Sequence, residues 1–308
     1  MPEETVAERQ LIVSMYCKNL FHVQLLLKGM NMQDYKSIFN VEDECENLKT
    51  HMFEWFSSKG FKKAIVGVSG GADSTVCCKL ACDVLGPSNV FAVRMPHGTQ
   101  ADICNANKVS EIVDCNEMTL NIGEMFSAMN AQFTKAGFDL NDAYKSNSPA
   151  RLRMAMLFGL SALVGAAVIN TCNLSEDCAW GNFSTLFGDN AGSYACLQGF
   201  TKTEVRMISE YPGLPHDLVW KTPNDGMCGK SDEARISELS GVKNFTYEEF
   251  DKFIRCCPHS FSKCDIQRLI HGYKIGKYKN KIVNIDHYTP SLPNAFENIH
   301  VVTITGRI

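Results

Sequence analysis

The sequence predicts an α/β protein with a parallel, doubly wound sheet and helices on both faces. Three observations lead there. The apolar run 64–68 is typical of a strand buried on both faces, and it ends in a short polar sequence before a helical pattern begins. A second apolar run, 90–93, follows that helix at the spacing of a parallel strand–helix–strand unit. A third run, 166–169, again leads into a polar cluster.

Composition argues against several function classes. A chain of 308 residues buries about three quarters of its unfolded surface, so its core needs no disulfide or metal. A formal charge of -4 without a long basic run argues against nucleic-acid binding. The 14 cysteines lie in apolar patterns typical of reduced thiols, which predicts a cytoplasmic protein. We expect no membrane partner, because the N-terminus lacks a signal pattern and segment 154–169 is too short to span a bilayer.

The polar sequence after the first strand has the residues of a phosphate-binding loop. Gly70 and Gly71 permit unusual backbone angles, and the helix that begins near Ser74 adds its positive dipole end. The Gly-Lys-Ser/Thr ending of a Walker A motif is missing, and Asp73 stands in the turn instead. Because a carboxylate repels phosphates unless a cation intervenes, we interpret Asp73 as a Mg²⁺ ligand. The alternative is an Asx-type turn in which Asp73 caps the helix.

Charged residues also stand near the ends of other elements. Arg94 lies at the carboxyl end of the second strand, where open sheets bind ligands, with a surface ion pair as the alternative. Glu176 follows the strand 166–169 and is a candidate second metal carboxylate, with a helix N-terminal glutamate as the alternative. Lys202 occupies the first turn of a helix over 201–208, where the dipole disfavours a cation, so we expect it to bind an anion.

The other segments carry less chemistry. An extension over 1–40 is expected to be helical, ahead of a main domain over 41–308. Residues 147–154 are expected to open an apolar helix that Gly165 ends, and its Arg151 and Arg153 suggest anionic partners. The remaining expectations are helices over 41–58, 102–116 and 246–255 (the last with a capping box), a strand over 117–122, helices to 138, a long loop over 181–199, a lid over 221–233 and a strand-like tail. Cys256, Cys257, His259 and Cys264 do not have the spacing of a structural zinc site.

Five motifs in fixed order make the chain resemble the ammonia-dependent NAD synthetases of the ATP pyrophosphatase superfamily, over about residues 41–288. The motifs are GVSGGADST at 67–75, VRMPHGTQAD at 93–102, NSPARLRM at 147–154, NTCNLSE at 170–176, and TKTEV from 201 followed by KTPNDG and GKSDE. The resemblance implies a ligase in which ATP adenylates the nicotinate carboxylate of deamido-NAD, pyrophosphate leaves, and ammonia attacks to give NAD and AMP. It also implies an adenine nucleotide alpha hydrolase-like fold and a homodimer packed through the apolar helix.

Residue roles follow from the same resemblance. Asp73, Ser69 and Lys202 are the expected catalytic residues, and Asp73 with Glu176 would bind Mg²⁺. Asn147, Arg151 and Asp189 are the expected deamido-NAD contacts. The expected ATP contacts are Gly67, Val68, Ser69, Gly70, Gly71, Ala72, Asp73, Ser74, Arg94, Thr171, Lys202 and Asn224.

Several positions depart from the commonest family pattern. Leu186 stands where many members have a lysine, Ser193 where they have an aspartate, and Asn224 where they have Ser or Thr. Residues 275–279 replace an expected His-Lys pair. Two alternatives therefore remain: another enzyme of the superfamily with a different acceptor, for which Cys172 would be the candidate sulfur carrier, or a nucleotide sensor without turnover. Two metal carboxylates favour an enzyme over a sensor.

Overall fold

The computed structural model describes residues 38–98, 112–181, 184–220 and 231–297. The strands are β1 (Ala64–Gly67), β2 (Val90–Arg94), β3 (Asn116–Thr119), β4 (Ala167–Asn170) and β5 (Tyr194–Ala195). The helices are α1 (Val41–Lys59), α2 (Ala72–Leu85), α3 (Gly123–Lys135), α4 (Asp142–Val164), α5 (Leu174–Cys178), α6 (Lys202–Glu210), α7 (His216–Val219), α8 (Asp232–Ser240), α9 (Tyr247–Ile254) and α10 (Lys263–Ile282).

All five strands run parallel in one sheet of order β3-β2-β1-β4-β5. From β1 the chain adds β2 and then β3 on one side, and it then returns to add β4 and β5 on the other side of β1. In the register between them, Ala64 pairs with Ala167 and Val66 with Ile169. The strand order therefore reverses between β1 and β4, and open α/β sheets bind their ligands in the crevice at such a point.

Both faces of the sheet are buried, as the apolar runs predict. Along β1, Ala64 and Val66 belong to one core cluster, whereas Ile65 belongs to another on the opposite face. Helices α1, α2 and α6 contribute to the first cluster, and α4 packs on the second through Leu157. This arrangement confirms a doubly wound fold with helices on both faces.

A third core lies among the C-terminal helices and is rich in aromatic side chains. Phe250 and Phe253 of α9 meet Phe296 at ring-centroid distances of 6.0 Å and 5.5 Å, and Leu269 of α10 is buried with them. Cys178, at the end of α5, also belongs to this cluster. The C-terminal helices are thus packed against the short helix that follows β4, next to the crevice.

Capping residues define the main helices as expected. Asn40 accepts hydrogen bonds from the first turn of α1, Thr201 caps α6, and Gly165, with a φ of 66°, ends α4 in the left-handed conformation. At Thr246 only half of the predicted capping box forms. Its hydroxyl accepts from the Glu249 N–H, but the Glu249 carboxylate binds Lys252 and the Ser260 N–H instead.

Three expected boundaries are wrong. Helix α4 begins at Asp142 rather than at 147, because Asn141 caps it and Pro149 is accommodated inside the helix. The strand expected over 117–122 is the shorter β3, since the chain turns away at the carboxyl edge to begin α3. The loop expected over 181–199 contains β5, a two-residue strand held by its register with β4.

Several expectations lie outside the described residues. These are most of the extension 1–40, most of the helix 102–116, most of the lid 221–233, and the strand-like tail. Residues 232 and 233, assigned to the lid, instead begin α8. Among the residues that the structure describes, no helix is both long and apolar enough to cross a membrane.

Candidate active site

The phosphate-loop sequence forms a tight turn between β1 and α2. Gly70 has a φ of 81°, a conformation that favours glycine, and Gly71 is the N-cap of α2. The loop is braced internally: the Ser69 N–H donates to Ser74 Oγ at 3.2 Å, and Thr75 Oγ1 donates to the Gly71 carbonyl at 2.8 Å. Within the described part of the chain no side chain caps the start of α2 at Gly71. The first turn of α2 can therefore offer its N–H groups to an anion.

A buried lysine and two carboxylates meet beside this loop. Lys202 Nζ lies 2.5 Å from Asp73 Oδ2 and 3.2 Å from Glu176 Oε1. The three side chains come from α2, α5 and α6, and α2 and α5 follow the adjacent strands β1 and β4. The reversal of strand order thus brings together the two carboxylates predicted as metal ligands and the lysine predicted to bind an anion.

Burial and mutual charge shift the protonation equilibria of this cluster. Burial raises the pKa of Glu176 to about 7, and the nearby Lys202 only partly offsets that rise. Burial acts to lower the pKa of Lys202, but attraction to Asp73 and Glu176 outweighs it and raises the pKa overall. Lys202 is therefore permanently charged. Its positive charge holds together two carboxylates that would otherwise repel each other.

The cluster fits a divalent cation. Oδ1 of Asp73 is buried and has no hydrogen-bond partner among the described residues, so it has a free acceptor position. Hard cations such as Mg²⁺ take carboxylate oxygens, and the orphaned oxygen together with Glu176 offers such donors. Asp73 does not cap α2, since Gly71 does, so the Asx-cap alternative is not what the structure shows.

Hydrogen bonds that join Ser175 and Asp251 fix the helix starts that carry Glu176 and Lys202. Ser175 Oγ accepts from the backbone N–H of Lys202 at 2.9 Å and donates to Asp251 Oδ1 at 2.5 Å. The other oxygen of Asp251 accepts from the Thr203 N–H at 2.7 Å. Burial raises the pKa of Asp251 to about 7. Asp251 therefore ties α9 to the starts of α5 and α6, and so supports both charged side chains.

Asn173 links Asp73 and Glu176 to the end of β4. Its Oδ1 accepts from the Glu176 N–H at 3.1 Å, which caps α5, and its Nδ2 donates to Asp73 Oδ2 at 3.4 Å. The sequence predicts no role for Asn173, Ser175 or Asp251. Asn173 could have been recognised from the capping spacing to Glu176, whereas Asp251 lies 76 residues from Ser175 and 48 from Thr203 and gives no local signal.

The residues expected to contact deamido-NAD form a second group around the loop that precedes β5. Thr185 Oγ1 donates to Asn147 Oδ1 at 3.0 Å, and the Thr185 N–H donates to Asp189 Oδ2 at 3.3 Å. Arg151 Nε donates to the Leu186 carbonyl at 3.1 Å. The structure therefore brings Asn147, Arg151 and Asp189 together at one loop, although 42 residues separate the first from the last.

Four further expectations have separate outcomes. Arg94 forms an ion pair with Glu117 at 3.0 Å, the alternative considered for it, and its contact with ATP stays a prediction. Thr171 lies immediately after β4 at the carboxyl edge. Asn224 lies outside the described residues. Burial raises the pKa of Cys172 well above its usual range, so its thiol is poorly suited to carry sulfur.

His259, one of the four residues considered for zinc, makes local contacts. Its Nδ1 accepts a hydrogen bond from the Phe261 N–H at 3.2 Å, and its ring packs at 5.4 Å from that of Phe253. Within the described ranges, Cys256, Cys257 and Cys264 do not converge with it on a common point.

Known proteins that resemble this chain in sequence or fold include NAD synthetases and a related enzyme. The family model described as NAD synthase matches residues 44–283. An NH(3)-dependent NAD(+) synthetase from Trichlorobacter lovleyi is 35% identical over 198 residues, which cover 63% of this chain and 68% of the relative. Another from Fusobacterium nucleatum is 32% identical and covers 79% of this chain and 95% of the relative.

Solved structures agree with the sequence comparison. NMN synthetase from Francisella tularensis matches with a TM-score of 0.69 and 25% identity, over 82% of this chain and 99% of that one. NAD+ synthetase from Burkholderia pseudomallei matches with a TM-score of 0.63 over 85% and 96% of the two chains, and its 24% identity supports the fold alone. With the phosphate loop, the two carboxylates and the buried lysine in place, the chain belongs to the NAD synthase family.

Proposed function

We propose that the protein is an ammonia-dependent NAD synthetase that amidates the nicotinate carboxylate of deamido-NAD at the expense of ATP. The observation that carries this proposal is the contact of Lys202 with Asp73 and Glu176 beside a glycine-rich turn, at the point where the strand order reverses. In this reaction the carboxylate attacks the α-phosphorus of ATP, pyrophosphate leaves, and ammonia displaces AMP from the acyl-adenylate.

Asp73 and Glu176 would hold Mg²⁺, with the free oxygen of Asp73 as one donor. The bound ion would supply positive charge against the departing pyrophosphate. The raised pKa of Glu176 favours this role, because a carboxylate that is costly to bury alone gains from a cation.

The chain's own residues supply the remaining electrostatic stabilisation. The turn of Gly70 and Gly71 and the start of α2 would donate N–H groups to the phosphates. Lys202 is buried and permanently charged, so it can oppose negative charge that develops as a carboxylate attacks a polyphosphate. Ser69 is exposed at the tip of the turn, within reach of a ligand in the crevice.

Asn147, Arg151 and Asp189 would bind the dinucleotide through the loop of Thr185 and Leu186. Arg151 uses Nε on the Leu186 carbonyl and is an exposed residue, so its terminal nitrogens could bind a phosphate. Phe187, on the same loop, has a φ of 59° and a 56% exposed ring. A strained backbone that presents an aromatic ring is typical of ligand-binding loops.

A second candidate substrate is nicotinate mononucleotide, the acid that corresponds to NMN. It is favoured by the match to the NMN synthetase from Francisella tularensis at a TM-score of 0.69. The two reactions share the ATP site and the carboxylate, and differ only in whether the substrate carries an AMP moiety. Leu186 and Ser193 depart from the family pattern in the loop that would bind the AMP moiety. This loop therefore decides between the two candidate substrates.

We further propose a homodimer and a cytoplasmic location. Helix α4 packs on the sheet through Leu157, while Phe158 (41% exposed) and Leu163 (84% exposed) project from it without cover in the monomer. Apolar side chains in this number on one helix favour a subunit interface. Sedimentation should give a dimer for the native chain and a monomer for Leu163→Glu. The location is supported by the buried free thiols, which suit a reducing compartment.

The experiment that tests the activity supplies ATP, Mg²⁺ and ammonium chloride with either deamido-NAD or nicotinate mononucleotide. Formation of NAD from deamido-NAD, with AMP and pyrophosphate in equal amounts, is the expected result. A clear preference for the mononucleotide would make the second candidate correct. ATP turnover with neither acid, or no turnover at all, would overturn the proposal. Glutamine in place of ammonium should give no product.

A further inference from the structure

Three cysteines outside the active site converge on one point. Cys78 and Cys82 lie one turn apart on the same face of α2, and Cys115 immediately precedes β3. All three sulfur atoms lie within 4.8 Å of one another, and Cys78 Sγ is 3.8 Å from Cys115 Sγ. The 37 residues between those two cysteines mean that the fold, rather than local sequence, brings them together.

The separation of the Cys78 and Cys115 sulfur atoms matches a metal–thiolate site, and the other two separations are at most 4.8 Å. Zn–S bonds of about 2.3 Å place the sulfurs of a tetrahedral site about 3.8 Å apart. A disulfide would need an S–S distance of about 2.0 Å. Elsewhere in the core, buried cysteines such as Cys45 and Cys178 pack as small apolar side chains and belong to no such group within the described part of the chain.

Burial and access also suit a bound ion. Cys78 is fully buried and Cys82 is 6% exposed, whereas Cys115 is half-buried and leaves a path from solvent. A metal ion bound by the three sulfurs would displace the thiol protons.

We propose that Cys78, Cys82 and Cys115 form a structural site for a thiophilic d¹⁰ metal ion of the Zn²⁺ class, separate from the carboxylates at the ATP site. Three thiolates would supply one negative charge more than Zn²⁺ neutralises, and the fourth ligand would be water. The ion would link α2, which follows the phosphate loop, to the edge of the sheet at β3. Asp73, Glu176 and Lys202 take no part in this site.

Zinc binding to the reduced full-length protein tests this site. The protein is stripped of metal, kept in excess Mg²⁺ so that carboxylates are occupied, and titrated with Zn²⁺ against a chromophoric chelator. Wild type and Cys264→Ser, which changes an exposed cysteine outside the group, should bind one equivalent. Cys82→Ser and Cys115→Ser should weaken binding by more than about tenfold, the loss seen even for outer-shell changes.

Two further readouts separate the site from a folding effect. Zn²⁺ should raise the melting temperature of wild type and of Cys264→Ser, but not of Cys115→Ser, whose circular dichroism should match wild type. Co²⁺ in place of Zn²⁺ should give thiolate-to-cobalt absorption in the near ultraviolet that Cys115→Ser lacks. Equal zinc binding by wild type and both cluster variants, no binding by wild type, or loss of thiols to a Cys78–Cys115 disulfide in place of metal would overturn the proposal.

Discussion

The buried ion pair between Glu204 and Arg255 should be essential to stability. Arg255 donates from Nε and Nη2 to the two carboxylate oxygens of Glu204, both at 2.7 Å, and both side chains are at most 2% exposed. Arg255 also donates to the carbonyls of Gly199 and Pro293. The same carboxylate accepts from the Thr201 N–H and completes the capping box at the start of α6.

Arg255→Met leaves the Glu204 carboxylate buried without its cation. Breaking a buried pair from one side costs about 3–5 kcal/mol, and the two orphaned carbonyls add about 1 kcal/mol each if water cannot reach them. Since the chain can relax, we expect the free energy of unfolding to fall by about 4 kcal/mol. Urea denaturation followed by circular dichroism measures this directly.

The double variant Glu204→Gln with Arg255→Met is the decisive comparison. It removes the uncompensated charge but keeps an oxygen that can accept from the Thr201 N–H, so it should be more stable than Arg255→Met alone. Lys252→Met, on helix α9 just before Arg255, removes only partly exposed ion pairs and should cost about 1 kcal/mol or less. A loss below about 1 kcal/mol for Arg255→Met, or a double variant less stable than the single one, would refute the reasoning.

Three further predictions concern the site, pH and packing. Asp73→Ala or Glu176→Ala should abolish adenylation while the chain still folds, because each variant leaves Lys202 one carboxylate partner; near-normal turnover at saturating Mg²⁺ would show that the metal assignment is wrong. Burial lowers the pKa of His259, so the unfolded chain binds more protons, and stability should fall as pH drops below about 6.5. His259→Asn should reduce that fall in urea denaturation at pH 5 against pH 8, and an identical pH profile would contradict it. Gly272→Ala places a Cβ against the ring of Trp180, 2.9 Å from Cδ2, and should cost about 1–3 kcal/mol, whereas an unchanged melting temperature would contradict the packing described.

The strands and the phosphate loop could be predicted because their signals are local. The alternation of β1 between two cores requires a continuous apolar run, and the glycines after it follow from the backbone angles of the turn. Strand order could not be predicted from local signals, because neither β4 nor β5 carries any local sign of its neighbour. The approach of Asp73 to Glu176 depends on that order, and only the family motifs predicted this approach.

The misplaced boundaries share one physical cause. Pro149 is typical of a helix start, yet Asn141 caps α4 earlier and the buried contacts of 148–150 stabilise the proline inside the helix. Likewise β5 is too short to show alternation and exists through its pairing with β4. In both places tertiary packing decides what local propensity does not.

The supporting residues of the site were the hardest to foresee. Asp251 stands on an amphipathic helix as one more acidic residue, and only the fold turns it toward Ser175 and Thr203. The same holds for Cys78, Cys82 and Cys115, whose sequence pattern is that of ordinary buried thiols. Residues that act through a distant partner leave no periodic or motif signal.

The central claim is that this site transfers AMP to a nicotinate carboxylate, and the fate of the carboxylate oxygens tests it most directly. Deamido-NAD labelled with heavy oxygen in its carboxylate is incubated with the protein, ATP, Mg²⁺ and ammonium chloride, and AMP and pyrophosphate are examined by mass spectrometry. Adenylation predicts one labelled oxygen in AMP and none in pyrophosphate. Label in phosphate or pyrophosphate, or AMP formed without label, would contradict the mechanism.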